Sequence, residues 1–177
     1  MQLNFSPPFD CFPIQVPAQS PKSMHIHEMH EFFFCLNSRG KQFTGSRSLR
    51  NRRHSLFCFP AGVPHYCSGE PSVNAKGVVI MIPDSMFSSQ GYGDPETQLA
   101  LQKVLDLARQ GEHPLPLDQA NAKDLSRIVN SLATEFTKKK AAYQAAVRSR
   151  LQDLFVLLAR DKADCQAAKS KRKRRAG

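Results

Sequence analysis

Short apolar runs separated by turn residues fill the first half of the chain. The runs lie at residues 12–16, 32–36, 56–59 and 78–82, with proline and glycine between them. Several of them are apolar at consecutive positions, as in sheets that are covered on both faces. The pattern predicts a β-sandwich or β-barrel over this half.

The second half changes to a helical period. Asp94 followed by Pro95 is a strong helix start, because the carboxylate can cap the helix and proline suits its first position. Gly111 ends that helix, a second helix begins within residues 118–121, and a third follows. Residues 141–142 contain no stop signal, so one long helix in place of the last two remains open. The expected fold class is α+β, a β-barrel followed by a C-terminal helical segment of two to three helices.

The formal net charge of +10 is concentrated at the C-terminus. Of the 25 Lys and Arg residues, six lie between Lys169 and Arg175, which leaves 19 against 15 acidic residues. The remaining charge of about +4 is unremarkable for a domain of this size. Residues 163–177 are therefore expected to be a basic, disordered tail or linker, which alone would give only non-specific contact with phosphates.

Five cysteines without a C-x-x-C pair argue against a zinc finger and against a disulfide framework. The N-terminal residues lack both a basic start and an apolar signal core. The longest apolar stretch of the middle region, residues 78–82, is far too short to cross a bilayer. We therefore expect a cytoplasmic protein in a reduced compartment, with no membrane partner.

The most informative stretch reads HIHEMHEFFF and begins at His25. Alternate side chains of a strand share a face, so His25 and His27 point the same way. Glu31 joins them if the chain stays extended, and a turn through residues 28–30 would instead place it on the neighbouring strand, still near the pair. His30 has the opposite parity and is expected outside the group.

A third histidine, His65, follows the turn at residues 60–64, which is expected to start a returning strand. Two histidines on one face, a carboxylate and a third histidine form a ligand set for a first-row transition metal. Neutral imidazole also forms hydrogen bonds with sugars, carboxylates and phenols. Partly exposed histidines at strand ends, without a ligand, are the alternative.

The same alternation predicts that the three consecutive phenylalanines face opposite sides of the sheet. Phe33 is expected on the inward face with His27 and Glu31, where it would line an apolar ligand pocket. Its neighbours Phe32 and Phe34 are expected to pack beneath the helices as part of the core.

The motif H-x-H-x-x-x-E at residues 25–31, followed by Gly40, and the motif P-x-G-x-x-H at residues 60–65 resemble the two sequence motifs of the cupin barrel. His54 stands where the family pattern has a glycine ahead of its second motif. The resemblance implies a jelly-roll type barrel, with no cofactor other than a divalent transition metal. The ligands of such a metal would be His25, His27, Glu31 and His65.

A second resemblance comes from the order of the elements. The barrel is followed by a strand ending near Pro83, a variable loop, and leucine-rich helices of which the last ends in Ala159 and Arg160. This order, over about residues 20–162, is similar to the regulatory domain of AraC-family transcription factors. In that family the barrel binds a small effector, the helices dimerise, and a C-terminal domain with two helix-turn-helix units binds DNA. That last domain is not within these 177 residues, so none of them is expected to bind DNA.

The resemblance implies an N-terminal arm at residues 1–20, an effector-binding cupin-like barrel at 21–92, a helical dimerisation part at 93–162, and the tail. The last helix has more apolar surface than one face needs, so some of it should be buried by another subunit. The residues expected at this homodimer contact are Leu151, Leu154, Phe155 and Leu158.

The expected function is that of a small-molecule-sensing, dimerising regulatory domain of the AraC type, not an enzyme. Its effector would be a sugar, an aromatic acid or another organic acid, bound through His25, His27, Glu31, Phe33 and His65. The alternative is a metal-dependent cupin enzyme, a dioxygenase or isomerase, whose metal lies on the same three histidines and glutamate. A third hypothesis is a dimerisation module that antagonises a longer relative.

Overall fold

The computed structural model describes residues 10–17, 23–87, 95–115 and 117–175, with residue 87 and residues 161–175 described by their backbone alone. In these residues seven strands form two sheets, and three helices follow. The strands are β1 (Asp10–Val16), β2 (His30–Cys35), β3 (Lys41–Thr44), β4 (Arg47–Arg50), β5 (Leu56–Phe59), β6 (His65–Ser68) and β7 (Ala75–Ile82). The helices are α1 (Pro95–Arg109), α2 (Gln119–Lys138) and α3 (Tyr143–Arg175).

The two sheets enclose a common interior. The four-stranded sheet has the strand order β1-β7-β2-β5, and the three-stranded sheet has the order β4-β3-β6. Every pairing between these strands is antiparallel. Inward-facing residues of both sheets pack together, so the strands form a small barrel. The predicted fold class, an α+β fold with a β-barrel followed by a helical segment, is confirmed.

The two faces of the four-stranded sheet bury different apolar clusters. On the outer face Phe32, Phe34 and Ile80 pack with residues of all three helices in the main core. On the inner face Phe33 and Phe59 pack with residues of the three-stranded sheet in a smaller cluster. The predicted division of the phenylalanine run is therefore confirmed.

The ends of the helices follow the capping chemistry. Pro95 is the first residue of α1, as predicted, and the capping role predicted for Asp94 lies outside the described residues. The Asp118 carboxylate caps α2 by accepting a hydrogen bond from the Asn121 N–H at 2.7 Å. Lys139 ends α2 in the left-handed conformation with a φ of 45°. The helices α2 and α3 are therefore separate, which decides against one long helix.

The barrel begins earlier than predicted. Residues 10–16, expected in an N-terminal arm, form β1, which pairs with β7 along its whole length. β1 is an edge strand, and an edge strand tolerates Pro13 because one side of it has no neighbour that needs the missing N–H. Residues 1–9 and 18–20 of the predicted arm lie outside the described residues.

The helical part ends later than predicted. α3 continues to Arg175, whereas the charge run predicts a disordered tail or linker from residue 163. This segment is rich in alanine, lysine, arginine and glutamine, which are strong helix formers, and it contains no glycine or proline before Gly177. None of the described helices is both long and apolar enough to cross a membrane.

The residues predicted for the homodimer contact lie inside the chain instead. They are at most 3% exposed and pack in the main core with residues of α1 and α2. The wide apolar surface of the last helix is thus covered by two helices of the same chain, with the barrel beneath it. This correction applies to Leu151, Leu154, Phe155 and Leu158.

Candidate metal and ligand site

Backbone pairing brings together the two segments that carry the histidines. His25 and His65 form an antiparallel bridge with reciprocal N–H···O=C bonds of 3.0 and 3.1 Å. The Gly62 N–H donates to the His27 carbonyl at 2.9 Å. Gly62 has a φ of 79°, a left-handed conformation that glycine adopts without steric cost. The turn before β6 therefore holds the histidine pair beside His65.

Glu31 reaches the histidines from the opposite sheet. The chain bends at residues 28–29 and β2 then begins, so the turn that the sequence left as an alternative is present. Glu31 Oε2 lies 3.1 Å from His27 Nε2 and 3.2 Å from His65 Nε2. The ring centroid of His25 lies 4.8 Å from that of His27 and 4.6 Å from that of His65. Three imidazoles and one carboxylate therefore converge.

These four side chains have the spacing of a metal ligand set. One candidate donor atom from each residue lies within 4.8 Å of the others. Neighbouring donors bound at about 2.1 Å to one ion lie about 3.0–3.4 Å apart, so the four donor atoms would move closer together on binding an ion. Imidazole and carboxylate ligands together suit divalent ions such as zinc, iron or manganese.

The hydrogen bonds of His65 favour a cation at this site. Its Nδ1 lies 2.9 Å from the Val63 carbonyl oxygen, which can only accept, so Nδ1 carries the hydrogen and donates. In the neutral ring, Nε2 then presents a lone pair to Glu31 Oε2 at 3.2 Å. Two acceptors this close repel each other unless a proton or a metal ion lies between them. Histidines that bind metals are usually held in this way, by donation from the other ring nitrogen.

The cluster extends from the buried interior to the surface. The side chains of His65, Glu31 and His27 are 3%, 11% and 32% exposed, and His25 is exposed at the rim. Burial, followed by the charges of His65 and His27, lowers the pKa of His25, while Glu31 acts in the opposite direction. A lowered pKa keeps the ring neutral near pH 7, and the neutral ring is the form that binds metals.

The four residues line part of a cavity of about 470 Å³ in the barrel. Phe33 lines the same cavity, as its position on the inward face predicts. Sequence reasoning missed the part of the wall that β1 supplies through Phe12, Ile14 and Val16. The alternation of apolar residues at these three positions is the signal that could have found them.

Two aromatic residues beside the cluster were also missed. Phe59 stacks on the His65 ring, with centroids 4.1 Å apart and planes 4° apart. His113, from the connection between α1 and α2, stacks on Phe59 with centroids 5.6 Å apart. Burial, followed by the charge of Arg47, lowers the pKa of His113. Phe59 could have been found as the last apolar residue before the turn, whereas no local pattern reveals where His113 packs.

His30 lies outside the cluster, as its parity predicts. Its Nδ1 accepts a hydrogen bond from the Ala61 N–H at 3.0 Å, and its Nε2 lies 2.6 Å from Asp84 Oδ1. The residue is 1% exposed, and both ring nitrogens have partners. His30 therefore ties the turn before β6 to the segment after β7.

No family model matches the chain, and no curated protein matches it in sequence. Three solved structures with distant similarity come from different organisms. A cupin protein from Bacteroides fragilis is 11% identical with a TM-score of 0.42, over 50% of this chain and 76% of that one. A cupin 2 conserved barrel domain protein from Salinispora arenicola is 14% identical with a TM-score of 0.41, over 49% and 72%. An RmlC-like cupin family protein with a double-stranded β-helix fold from Methanocaldococcus jannaschii is 10% identical with a TM-score of 0.38, over 42% and 70%.

Proposed function

We propose that the barrel binds a small polar molecule at its histidine and glutamate cluster, as the sensing domain of a regulator of the AraC type. One observation carries the proposal: the four polar side chains converge in the wall of a cavity that is otherwise largely apolar. Small-molecule sites usually have this form, with a few polar groups that orient the ligand inside an apolar enclosure.

The lining of the cavity indicates the class of molecule. Imidazoles and a carboxylate lie on one side, and Phe12, Phe33 and Val79 offer apolar surface. A sugar, an aromatic acid or another organic acid fits this division. A divalent ion on the four residues would supply a Lewis acid for the oxygen donors of the ligand. A carboxylate of the ligand placed against the Glu31 carboxylate would lack a partner without the metal, so an acidic effector needs the metal.

Two strands connect the cavity to the helices. Phe33 of β2 lines the cavity, while Phe32 on the same strand contacts the Phe155 ring of α3 with centroids 5.8 Å apart. β1 forms part of the cavity wall and packs against α2. A ligand that binds one arrangement of β1 more tightly than another would favour that arrangement and so shift α2. A ligand with equal affinity for both arrangements would shift nothing.

The proposed regulator acts as a homodimer. Because the four residues first predicted for the contact are buried in the chain, we assign it to the groove between α2 and α3, where Val156 and Leu157 are partly exposed. Arg127 and Asp153 in this groove carry opposite charges, which suits a two-fold contact between identical surfaces.

A metal-dependent enzyme, a dioxygenase or an isomerase, is the second candidate function. The ligand set favours it, since three histidines and one carboxylate could hold a divalent ion that would supply Lewis-acid chemistry to a substrate. In either case the side chains of this chain hold and orient the ligand, and the apolar wall excludes water from it.

The test compares the wild-type protein with His27→Ala. Metal content is measured by mass spectrometry, and melting temperature is followed with sugars, aromatic acids and dicarboxylic acids, with and without added divalent metal. We expect stoichiometric metal in the wild type and its loss in the variant. We also expect one class of compound to raise the melting temperature of the metal-loaded wild type, because a ligand of the folded state stabilises it.

His54→Asn is the matched control. His54 stacks on Phe34 outside the cluster and has a φ of 66°, which asparagine tolerates. This variant should keep both the metal and the ligand response. A wild-type protein that binds neither metal nor any compound contradicts the proposed site. If a bound compound is converted to product only when metal is present, the protein is an enzyme and the sensor proposal is wrong.

A further inference from the structure

The outer face of the three-stranded sheet carries aromatic and basic side chains in a regular array. In the register of the sheet, Phe43 of β3 lies between Ser48 of β4 and Tyr66 of β6. In the adjacent row, Lys41 of β3 lies opposite Arg50 of β4. The alternate residues of these strands face inward, as Gln42 and Cys67 do, so the array faces away from the barrel interior.

The aromatic pair forms a flat stack on this face. The rings of Phe43 and Tyr66 have centroids 4.3 Å apart and planes 2° apart, and both residues are partly exposed. Ser48, the neighbour of Phe43 on the side away from Tyr66, is small and exposed. No other ring in the described part of the chain stacks on Phe43, so one more flat group can extend the stack above Ser48.

The charged side chains of the three strands themselves are all positive. Between Glu31 and Glu70 the sequence has six Lys and Arg residues and no acidic residue. Lys41 and Arg50 are exposed, and neither has a carboxylate partner among the described residues. Like charges directly opposite each other on neighbouring strands destabilise a sheet. An anionic partner would remove that repulsion.

We propose that this face binds single-stranded nucleic acid. A base stacks on Phe43 in line with Tyr66, while Lys41 and Arg50 contact the phosphates on either side of that nucleotide. Stacking on exposed aromatic rings in a positively charged surface is the general way in which sheets hold single strands. Tyr66 also borders the cavity, but the proposal rests on the stacked rings and the two cations and not on the function proposed for the cavity.

The observations favour a single strand over other polyanions. The bases of a duplex are already stacked and cannot reach an aromatic ring on a sheet, so a duplex would use only the two cations. Polyphosphate and anionic lipid likewise offer charge without a flat ring. A single strand is therefore the partner that can use both the aromatic pair and the two cations, whereas the alternatives use only the cations.

Binding is measured by fluorescence anisotropy with a labelled oligothymidylate of about 12 nucleotides, within the length that one small β-domain covers. The competitors are a blunt duplex of equal length, inorganic polyphosphate, and vesicles of phosphatidylserine with phosphatidylcholine. Because the basic C-terminal segment would bind any of these, all proteins carry glutamine at its six basic positions. These positions are Lys169, Lys171, Lys173, Arg172, Arg174 and Arg175.

Phe43→Leu should weaken oligothymidylate binding about 10-fold, because stacking of one base on an aromatic ring is worth about 1–3 kcal/mol. Phe43→Tyr, which keeps an aromatic ring, should restore it. The double variant Lys41→Gln/Arg50→Gln should lower the slope of log affinity against log salt by about 1.4, since each phosphate contact with a single strand contributes about 0.7.

The matched control is Lys103→Gln/Lys123→Gln, which removes two exposed lysines from α1 and α2 and should change neither value. Unchanged melting temperatures show that the variants are folded. The proposal is overturned if Phe43→Leu binds as tightly as its parent protein. It is also overturned if the duplex, polyphosphate or vesicles compete as well as unlabelled oligothymidylate, or if the parent protein does not bind at low salt.

Discussion

The two faces of the four-stranded sheet use the same kinds of residue for different purposes. On the outer face, Phe32 and Phe34 are completely buried against the helices in a closed apolar core. On the inner face, Phe33 is equally buried but borders a cavity of about 470 Å³ that also holds Glu31. Because side chains alternate along a strand, one continuous apolar run serves both the core and the candidate site.

The difference shows where the fold is stabilised and where it is kept open for a ligand. The outer cluster joins barrel and helices and contains most of the large buried side chains. The inner cluster is smaller and supports the rings around the polar group, as Phe59 does for His65. Changes on the outer side should therefore alter stability first, and changes on the inner side should alter binding first.

The largest expected effect is that of Phe155→Ala on the outer side. Phe155 is completely buried and contacts Phe32, so its truncation should cost about 3–5 kcal/mol in the free energy of unfolding, measured in urea. Metal content per folded molecule should not change. Leu99→Ala, at an exposed position of α1, is the control and should cost less than about 1 kcal/mol. Equal losses in the two variants would contradict the outer side as the main source of stability.

Gly77→Ala should have a smaller effect that reaches both faces. A Cβ at Gly77 would lie 2.5 Å from the Phe33 ring and 2.8 Å from the Phe34 carbonyl oxygen. This overpacking should cost about 1–3 kcal/mol, and because Phe33 lines the cavity, ligand affinity should fall as well. Adding Phe33→Leu should relieve part of the clash, so a double-mutant cycle in urea should show a favourable coupling. Strictly additive losses would rule out the contact with Phe33 as the cause.

Much of this division could be predicted from the sequence. The alternation rule separated Phe33 from Phe32 and Phe34, and parity excluded His30 from the cluster. The proline and glycine turn before His65 predicted the returning strand that brings this residue to the histidine pair. These predictions succeeded because strand geometry and turn chemistry act over a few residues.

The remainder depended on contacts that no local pattern contains. The sequence pattern of apolar residues such as Leu154 and Phe155 is the same whether a helix of the same chain or a second subunit covers them. The apolar run at residues 12–16 predicts a strand, but that this strand belongs to the barrel, at an edge that accommodates Pro13, becomes known only from the sheet order. The stacking of His113 on Phe59 joins a helix connection to the barrel across a long sequence separation.

Asp118→Ala tests the helical part alone. It removes the carboxylate that accepts from the Asn121 N–H at the start of α2, and loss of such a cap costs about 1 kcal/mol. The loss should appear in urea unfolding without a change in metal content, because α2 contributes no residue to the histidine cluster. Asp118→Asn keeps a capping oxygen and should recover most of the stability. Metal loss in Asp118→Ala would show that helix stability and metal binding in the barrel are coupled, and would contradict their separation.

The smallest expected signal concerns the buried thiols. Burial raises the pKa of both Cys11 and Cys35 to about 12. Both thiols therefore stay protonated at pH 8, and a thiol-specific reagent should not modify them in a Cys67→Ser/Cys165→Ser protein. Urea should release the thiols, whose pKa returns to about 8.5 in the unfolded chain. Rapid modification of the folded protein would contradict the closed packing of the barrel.

The central claim, that three imidazoles from two segments converge on one cation, is tested most directly by nitrogen-15 NMR of the histidine rings during addition of zinc. The chain contains six histidines, so the other three serve as internal controls. We expect the ring signals of His25, His27 and His65 to shift together and to saturate at one equivalent, with hydrogen retained on His65 Nδ1. His30, His54 and His113 should stay unchanged. Shifts spread over all six rings, or none at His65, would contradict the account.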